Sequence, residues 1–247
     1  MRLATWNLGG NGGHDQAGAH DRLRRAGVEI ALVQEATIDH LPAATNPFRR
    51  TSGRGVWGAA IATRLPIRPV DLGVHESIDG WLRIAAGSVK TDRGEVLVAS
   101  VHPHFDAVDP EPASIYERFR IPNAKHLWHC DVAWGVLNEH AHDYEGFIIG
   151  GDWNTARGFI ESSVVDAQFS EEFFVRAEAH GWHEVIFETH RREVPTYYKG
   201  VRAYQLDHLF ISASLLDTLV EASIDEIATE SDHLPVVAEL TIIAATR

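Results

Sequence analysis

The apolar stretches of this 247-residue chain are short, and several end on a residue that can do chemistry. Leu3-Ala4-Thr5-Trp6 runs into Asn7, Ile30-Ala31-Leu32-Val33-Gln34 into Glu35, Val96 to Val101 into His102, and Phe147-Ile148-Ile149-Gly150 into Gly151-Asp152-Trp153-Asn154. Apolar runs of about four to eight residues read as buried strands. Even the longest, from Pro235 to Ala245, falls short of the about 20 residues that a membrane-spanning helix needs. A chain punctuated in this way brings acids, amides and histidines to strand ends, where the following loops can converge on one site.

The remaining pattern is mixed. Strands are expected over Val28 to Val33, Gly55 to Thr63, Ile67 to Leu72, Leu206 to Ile211, Thr218 to Ile224 and Val236 to Ile243, with a hairpin of Trp81 to Val89 and Glu95 to Val101 turning at Gly94. Asp15 to Ala26, Glu171 to His180 and Ile115 to His142 read as helices, the last interrupted near Ile121-Pro122. Strands outnumber helices and many are joined by short turns. The expected class is α+β with mixed, largely antiparallel sheets, in a single domain over residues 1–247. A hydrophobic fraction of 45% is ample for such a core.

Net charge is −13, which argues against broad electrostatic binding of nucleic acid but leaves room for a metal that supplies positive charge locally. Cys130 is the only cysteine, so no intramolecular disulfide can form, and no export signal is visible at the start. A reducing, cytoplasmic setting is the expectation, with no obligate protein partner evident.

Each polar residue has an ordinary reading beside a functional one. Asn7 could start a turn, or its amide could orient a carboxylate, a water or a phosphate. Glu35 could be a solvated strand end or a hard-metal ligand. Asp152 and Asn154 could form an Asx-rich turn, or bring a water-activating carboxylate and a phosphate-directed amide to one face, with Gly150-Gly151 turning the backbone sharply. Asp207, inside an apolar strand, is costly unless paired, and His233 in Ser231-Asp232-His233 is the candidate partner. His102 could cap a strand or sit beside a phosphate, with His104 a companion. Arg83, in an apolar strand, needs a carboxylate or a phosphate. Gly9-Gly10-Asn11-Gly12-Gly13 lacks the Lys and helix start of a P-loop and reads as a turn, while His126-x-x-His129 and His140-x-His142 read as solvated helix faces rather than zinc ligands. Residues 103–122 are expected to form a rim of the site.

Taken in order, Trp6-Asn7, Gln34-Glu35, Gly58 to Ile67, Arg83, Ser100-Val101-His102, Gly151-Asp152-Trp153-Asn154, Leu206 to Phe210 and Ser231 to Pro235 resemble the endonuclease/exonuclease/phosphatase superfamily with its deoxyribonuclease I-like fold. The resemblance implies a four-layer α/β/β/α sandwich, two facing sheets with helices outside and the site at one end. It implies Glu35 as the principal Mg²⁺ or Mn²⁺ ligand, with Asn7 and Asp232 in or near the metal shell. Asp152, helped by Asn154, would handle the water. His233, held by Asp207, would contact the scissile phosphate, with His102 and Arg83 on the phosphate side. The sequence shows no carboxylate partner for His102, and Trp153 stands where the family more usually has Phe. The implied activity is metal-dependent hydrolysis of a phosphodiester, as an endo- or exonuclease. A phosphatase or phosphodiesterase acting on a small molecule or lipid headgroup is the alternative, and a non-catalytic binding module on the same fold ranks lower.

Overall fold

The computed structural model describes residues 1–10, 14–37, 48–51, 57–157, 167–199 and 201–245. Among these residues the elements follow one another as β1 (Arg2–Asn7), α1 (Gln16–Arg25), β2 (Ile30–Thr37), β3 (Phe48–Thr51), β4 (Trp57–Thr63), β5 (Arg68–Pro69), α2 (Glu76–Leu82), β6 (Ile84–Thr91), β7 (Gly94–Val101), α3 (Pro110–Tyr116), α4 (His129–Ala141), β8 (Gly146–Asp152), α5 (Ala167–Ala179), β9 (Trp182–Glu184), α6 (Val185–His190), β10 (Tyr197–Lys199), β11 (Arg202–Tyr204), β12 (Asp207–Ser212), β13 (Leu219–Ile224) and β14 (Val236–Leu240). One six-stranded sheet has the order β13-β14-β1-β2-β4-β3, a second has β5-β6-β7-β8-β12-β9, and β10 and β11 form a separate ribbon. Among the described strands, the β1–β2 and β7–β8 pairs are parallel and the others antiparallel.

Alternation along the strands produces the layers. Leu3, Ile30, Leu32 and Ile61 of the first sheet meet Val96, Val98, Ile148, Leu209 and Ile211 of the second in a core between the sheets. The opposite faces of the same strands send Ala4, Trp6, Ala31 and Val33 against Ala19 and Leu23 of α1. Leu97, Ala99, Ile149 and Phe210 pack against Ile78, Val132, Leu137 and Phe173 from α2, α4 and α5. Each such aliphatic side chain contributes roughly 1.5–3 kcal/mol on leaving water. The result is the expected sandwich of two sheets between helical layers.

At one end the two sheets come close. A side-chain carbon on Gly150 would lie 2.9 Å from Leu32 Cδ1 and 3.0 Å from Thr5 Cβ, and one on Gly151 would sit 1.9 Å from the Val101 carbonyl oxygen. These glycines are therefore strand residues of β8 that permit close approach, not the sharp turn expected from the sequence. Gln34 crosses the gap here, its Nε2 donating to Ser100 Oγ at 2.9 Å and to the Leu32 carbonyl at 2.9 Å.

Other expectations need correction. The hairpin arm expected from Trp81 begins only at Ile84, because His75, with Ser77 N donating to its Nδ1, caps a short helix that takes up Trp81 and Leu82. Arg83 is the left-handed residue (φ 44°) that ends this helix. The strand expected over Ile67 to Leu72 is reduced to Arg68–Pro69. The long helix expected from Ile115 splits into α3, a 3₁₀ turn at Glu117–Phe119, a loop, and α4. Val28 and Glu29 precede β2, which runs on past Val33, so Glu35 lies inside the strand at an irregularity between Val33 and Ala36. Residues 11–13 of the glycine-rich segment and 55–56 of an expected strand lie outside the described residues.

Candidate active site

The ends of β1, β2, β7, β8 and β12, with the loop before β14, converge at the close-packed end of the sandwich. Asn7 is buried at the end of β1. Its Nδ2 donates to Asp152 Oδ2 at 2.9 Å and to Glu35 Oε1 at 3.3 Å, so one amide bridges two carboxylates. Its Oδ1 accepts from Gly9 N at 3.0 Å, and its carbonyl accepts from Ser231 Oγ at 2.7 Å. The Asn7 amide thus presents nitrogen, not oxygen, to the carboxylates.

Glu35 has φ 50°, a conformation that costs an L-residue free energy and marks a constrained position. Gln16 Nε2 holds its carbonyl at 2.8 Å, and Gly10 N donates to Oε2 at 3.0 Å. The carboxylate remains partly exposed (22%). Asp152, at the end of β8, is 3% exposed. Asn154 closes a turn over it, with N donating to Asp152 Oδ1 at 3.0 Å and Nδ2 to the Pro103 carbonyl at 3.0 Å. Asn154 also has positive φ, 51°. Trp153 between them is fully buried against Phe173 and Phe210 at ring distances of 5.6 and 5.5 Å.

The antiparallel register of β8 and β12 sets Asp207 opposite Asp152. Asp207 is fully buried, and its Oδ2 accepts from His233 Nδ1 at 2.7 Å. Thr196 Oγ1 accepts from Asp207 N at 3.1 Å, and the Tyr197 ring lies 4.7 Å from that of His233. Trp6 Nε1 holds the His233 carbonyl at 2.8 Å. Burial alone would discharge the imidazole, but the carboxylates of Asp207, Asp152 and Asp232 outweigh it and hold His233 up at about 10. Burial raises Asp152 above the ordinary carboxylate range against the pull of His233, and the charge of Asp207 adds to the rise.

His102 is the opposite case. Burial, reinforced by Arg83, lowers it to about 4 against the pull of Asp152. Arg83 Nη1 donates to His102 Nδ1 at 3.2 Å, which leaves the Nε2 hydrogen facing Asp152 Oδ2 at 3.6 Å and Glu35 Oε1 at 3.8 Å. The missing partner of His102 is thus the site's own carboxylates, with a guanidinium behind. Of the two partners expected for Arg83, a carboxylate or a phosphate, no carboxylate pairs with it among the described residues. Asp232 is half-exposed (51%), with His14 Nε2 3.6 Å from its Oδ1.

Of the remaining histidine motifs, expected as solvated helix faces, His129 is buried, and two of the four rings bind backbone carbonyls. His129 Nδ1 donates to the Asp106 carbonyl at 2.7 Å and His140 Nε2 to the Leu72 carbonyl at 3.1 Å. No group of three or more His, Cys, Asp or Glu side chains converges as a metal cage among the described residues. Sequence reading missed Gln16, Thr196, Tyr197 and the role of Ser231, none of which ends an apolar run. It also missed His208. There Nε2 donates to the Thr155 carbonyl at 3.0 Å while Nδ1 accepts from Gln205 Nε2 at 3.1 Å, tying β12 to the turn that carries Asn154.

Burial of the His208 ring, reinforced by the charge of Arg157, lowers its pKa to about 4 from about 6.5, against the hydrogen bonds to Thr155 and Gln205. The unfolded chain therefore takes up this proton first. The stability that neutral His208 contributes is complete above about pH 6.5 and is lost as pH falls toward 4, by up to about 3 kcal/mol. Urea midpoints measured across this window should fall less steeply for His208→Gln than for wild type. Parallel curves would show that His208 is not the titrating group.

No helix among the described residues is long and apolar enough to cross a membrane. No curated protein sequence matches the chain significantly. Among solved structures, the catalytic domain of Xenopus laevis APE2 matches with a TM-score of 0.69 at 16% identity, covering 100% of this chain and 94% of that one. The endonuclease domain of TRAS1, a telomere-specific non-LTR retrotransposon, gives 0.67 at 20% identity over 98% of each chain. The 3′-5′ exonuclease NExo from Neisseria meningitidis gives 0.68 at 17% identity, covering 97% of this chain and 99% of that one. At such identities the likeness is one of fold. The model of the endonuclease/exonuclease/phosphatase family matches residues 4–233, the whole span over which Asn7, Glu35, Asp152, Asp207 and His233 are distributed, and the chain belongs to that family.

Proposed function

We propose that the chain hydrolyses phosphodiesters of nucleic acid with the help of one divalent cation. The observation that carries this reading is the continuous run of side chains Glu35–Asn7–Asp152 beside the buried Asp207–His233 pair. A carboxylate for the water and a cationic imidazole for the phosphoryl oxygens stand at one strand-end cluster. A binding module would have no need for a fully buried Asp207 holding a charged ring.

The residues fit a hard cation. Glu35 offers a partly exposed carboxylate aimed by strained backbone, and Asp232 a second at the rim. Mg²⁺ and Mn²⁺ take oxygen ligands and commonly need only one or two carboxylates, with water and substrate phosphate completing the shell. Asn7 would join by presenting its oxygen after a turn of the amide. When bound, such a cation stabilises negative charge on the phosphoryl oxygens and the leaving group.

The protein's own groups do the rest. Asp152, oriented by Asn7 and Asn154, accepts a proton from the attacking water. His233, kept protonated by Asp207, donates a hydrogen bond to a non-bridging phosphoryl oxygen while the P–O bond breaks with its electron pair going to the leaving alkoxide, which takes its proton from solvent. His102, neutral with its Nε2 hydrogen facing the site, donates a further hydrogen bond on the phosphate side. Arg83 acts through His102. The net charge of −13 favours a second reading, in which the substrate is a small or lipid-linked phosphoester.

The test is hydrolysis of single- and double-stranded DNA, RNA, bis-p-nitrophenyl phosphate and inositol phosphates with Mg²⁺, Mn²⁺ or EDTA. Cleavage of nucleic acid that EDTA abolishes is expected. Mg²⁺ should also raise the melting temperature of wild type and not of Glu35→Gln, a readout free of turnover. Cleavage of inositol phosphates alone would establish the second reading, and an equal thermal shift in Glu35→Gln would remove Glu35 from the metal site.

A further inference from the structure

We infer that Trp81, His104 and Phe105 form a stacking platform for an unpaired base next to the scissile phosphate, so that the chain takes single-stranded nucleic acid in preference to duplex. This rests on the nucleic-acid reading above and names the form of substrate that it takes.

The platform is built by the same backbone that places His102. His102 N donates to the Arg83 carbonyl at 3.2 Å and His104 N to the Trp81 carbonyl at 2.8 Å. The short helix ending at Leu82 is thereby sewn to the strand end that enters the site. Pro103 between the two histidines accepts from Asn154 Nδ2 at 3.0 Å. His104 and Phe105 stand two and three residues after His102, and the backbone bonds tie Trp81 to the same strand end.

Their geometry is that of a preformed stack. His104 meets Trp81 edge-on, with centroids 4.8 Å apart and an interplanar angle of 81°. Phe105 stacks on His104 at 4.5 Å and 27°. His129 supports Trp81 from behind at 5.9 Å and 29° and is itself fixed by the Asp106 carbonyl. Despite this support the outer faces are in water, with Trp81 42% and Phe105 60% exposed. Rings that are immobilised yet exposed beside a site are placed to receive another flat group rather than to fill a core.

Charge narrows what that group is. Binding of duplex without sequence preference depends on cations that follow both phosphate strands. Here Asp106 and Asp109 share one hollow with Trp81 and His104, and the Arg83 guanidinium is turned toward His102. Stacking on an aromatic face adds affinity that does not come from phosphate contacts and is open to any unpaired base.

The experiment follows intrinsic tryptophan fluorescence in EDTA at low salt, titrating with oligothymidylate and with an oligomer of equal length made of abasic units. Wild type should bind thymidylate about tenfold or more tightly than the abasic oligomer. Phe105→Ala, which removes an exposed ring and should melt as wild type does, should lose most of that difference. With Mg²⁺, wild type should cleave a single strand faster than the same sequence as duplex, and Phe105→Ala should narrow the gap. Equal affinity for the two oligomers, no binding of either, or an unchanged ratio in Phe105→Ala overturns the inference. Cleavage of oligonucleotides together with any of these results leaves the nuclease reading intact, whereas failure to cleave any nucleic acid removes both.

Discussion

His233→Ala should lower turnover by about 10² to 10⁴-fold, the range for removing one element of acid–base or electrostatic catalysis. It should also destabilise the fold, because Asp207 is fully buried and His233 is the partner of its Oδ2, while its Oδ1 has none among the described groups. Breaking a buried pair by removing one member costs on the order of 3–5 kcal/mol, as the remaining charge is stranded in low dielectric. The double variant Asp207→Asn with His233→Ala removes that charge. It should recover part of the lost urea stability and none of the turnover. This separates the two roles of the pair. Turnover regained along with stability would mean that His233 serves the fold alone, and near-wild-type hydrolysis by the single variant under saturating Mg²⁺ would remove it from the site.

Asp152→Asn should cut turnover by a similar factor, about 10² to 10⁴, with a much smaller effect on the fold. The carboxylate has one oxygen on the Asn7 amide and the other on the Asn154 backbone, and an Asn can accept only one of these bonds. Loss of one neutral hydrogen bond costs roughly 1 kcal/mol. Against that, the substitution removes a buried charge opposite Asp207, which lies directly across the β8–β12 ladder. The two effects oppose, so the urea midpoint should move little while single-turnover hydrolysis collapses. A variant that cleaves at the wild-type rate would show that another group takes the water's proton. A variant that unfolds would show that Asp152 is needed to hold Asn7 and the Asn154 turn, and single-turnover rates of Asn154→Ala would then locate the defect.

Asn7, Glu35, His102 and Asp152 stood out in the sequence because each follows an apolar run, whereas Asp207 and His233 stood out as a pair. Burial of the run and exposure of its end are written in the same few residues, as in Val33-Gln34-Glu35 and Gly150-Gly151-Asp152. Arg83 misled for the same reason. It stands among apolar neighbours, yet a helix cap rather than a strand explains them, since Trp81 and Leu82 belong to a turn closed by Arg83 in the left-handed conformation. Thr196, Tyr197 and His208 had no signal at all. Their importance lies in what they touch, and the β10–β11 ribbon that brings Tyr197 to His233 is a tertiary contact between segments with no shared periodicity.

By itself the sequence determined which acids, amides and histidines would follow apolar runs, because alternation and run length are local properties of the chain, and the order of those motifs carried the resemblance that implied the family and its sandwich. Only the tertiary structure decided how these groups are partnered. Asn7 bridges Glu35 and Asp152, which is 145 residues away, and Asp207 faces both Asp152 and His233. Two histidines of the same residue type are driven in opposite directions, His233 up by three carboxylates and His102 down by burial beside a guanidinium. Those outcomes depend on desolvation and on charges a few ångströms away in space, quantities that no stretch of neighbouring residues contains.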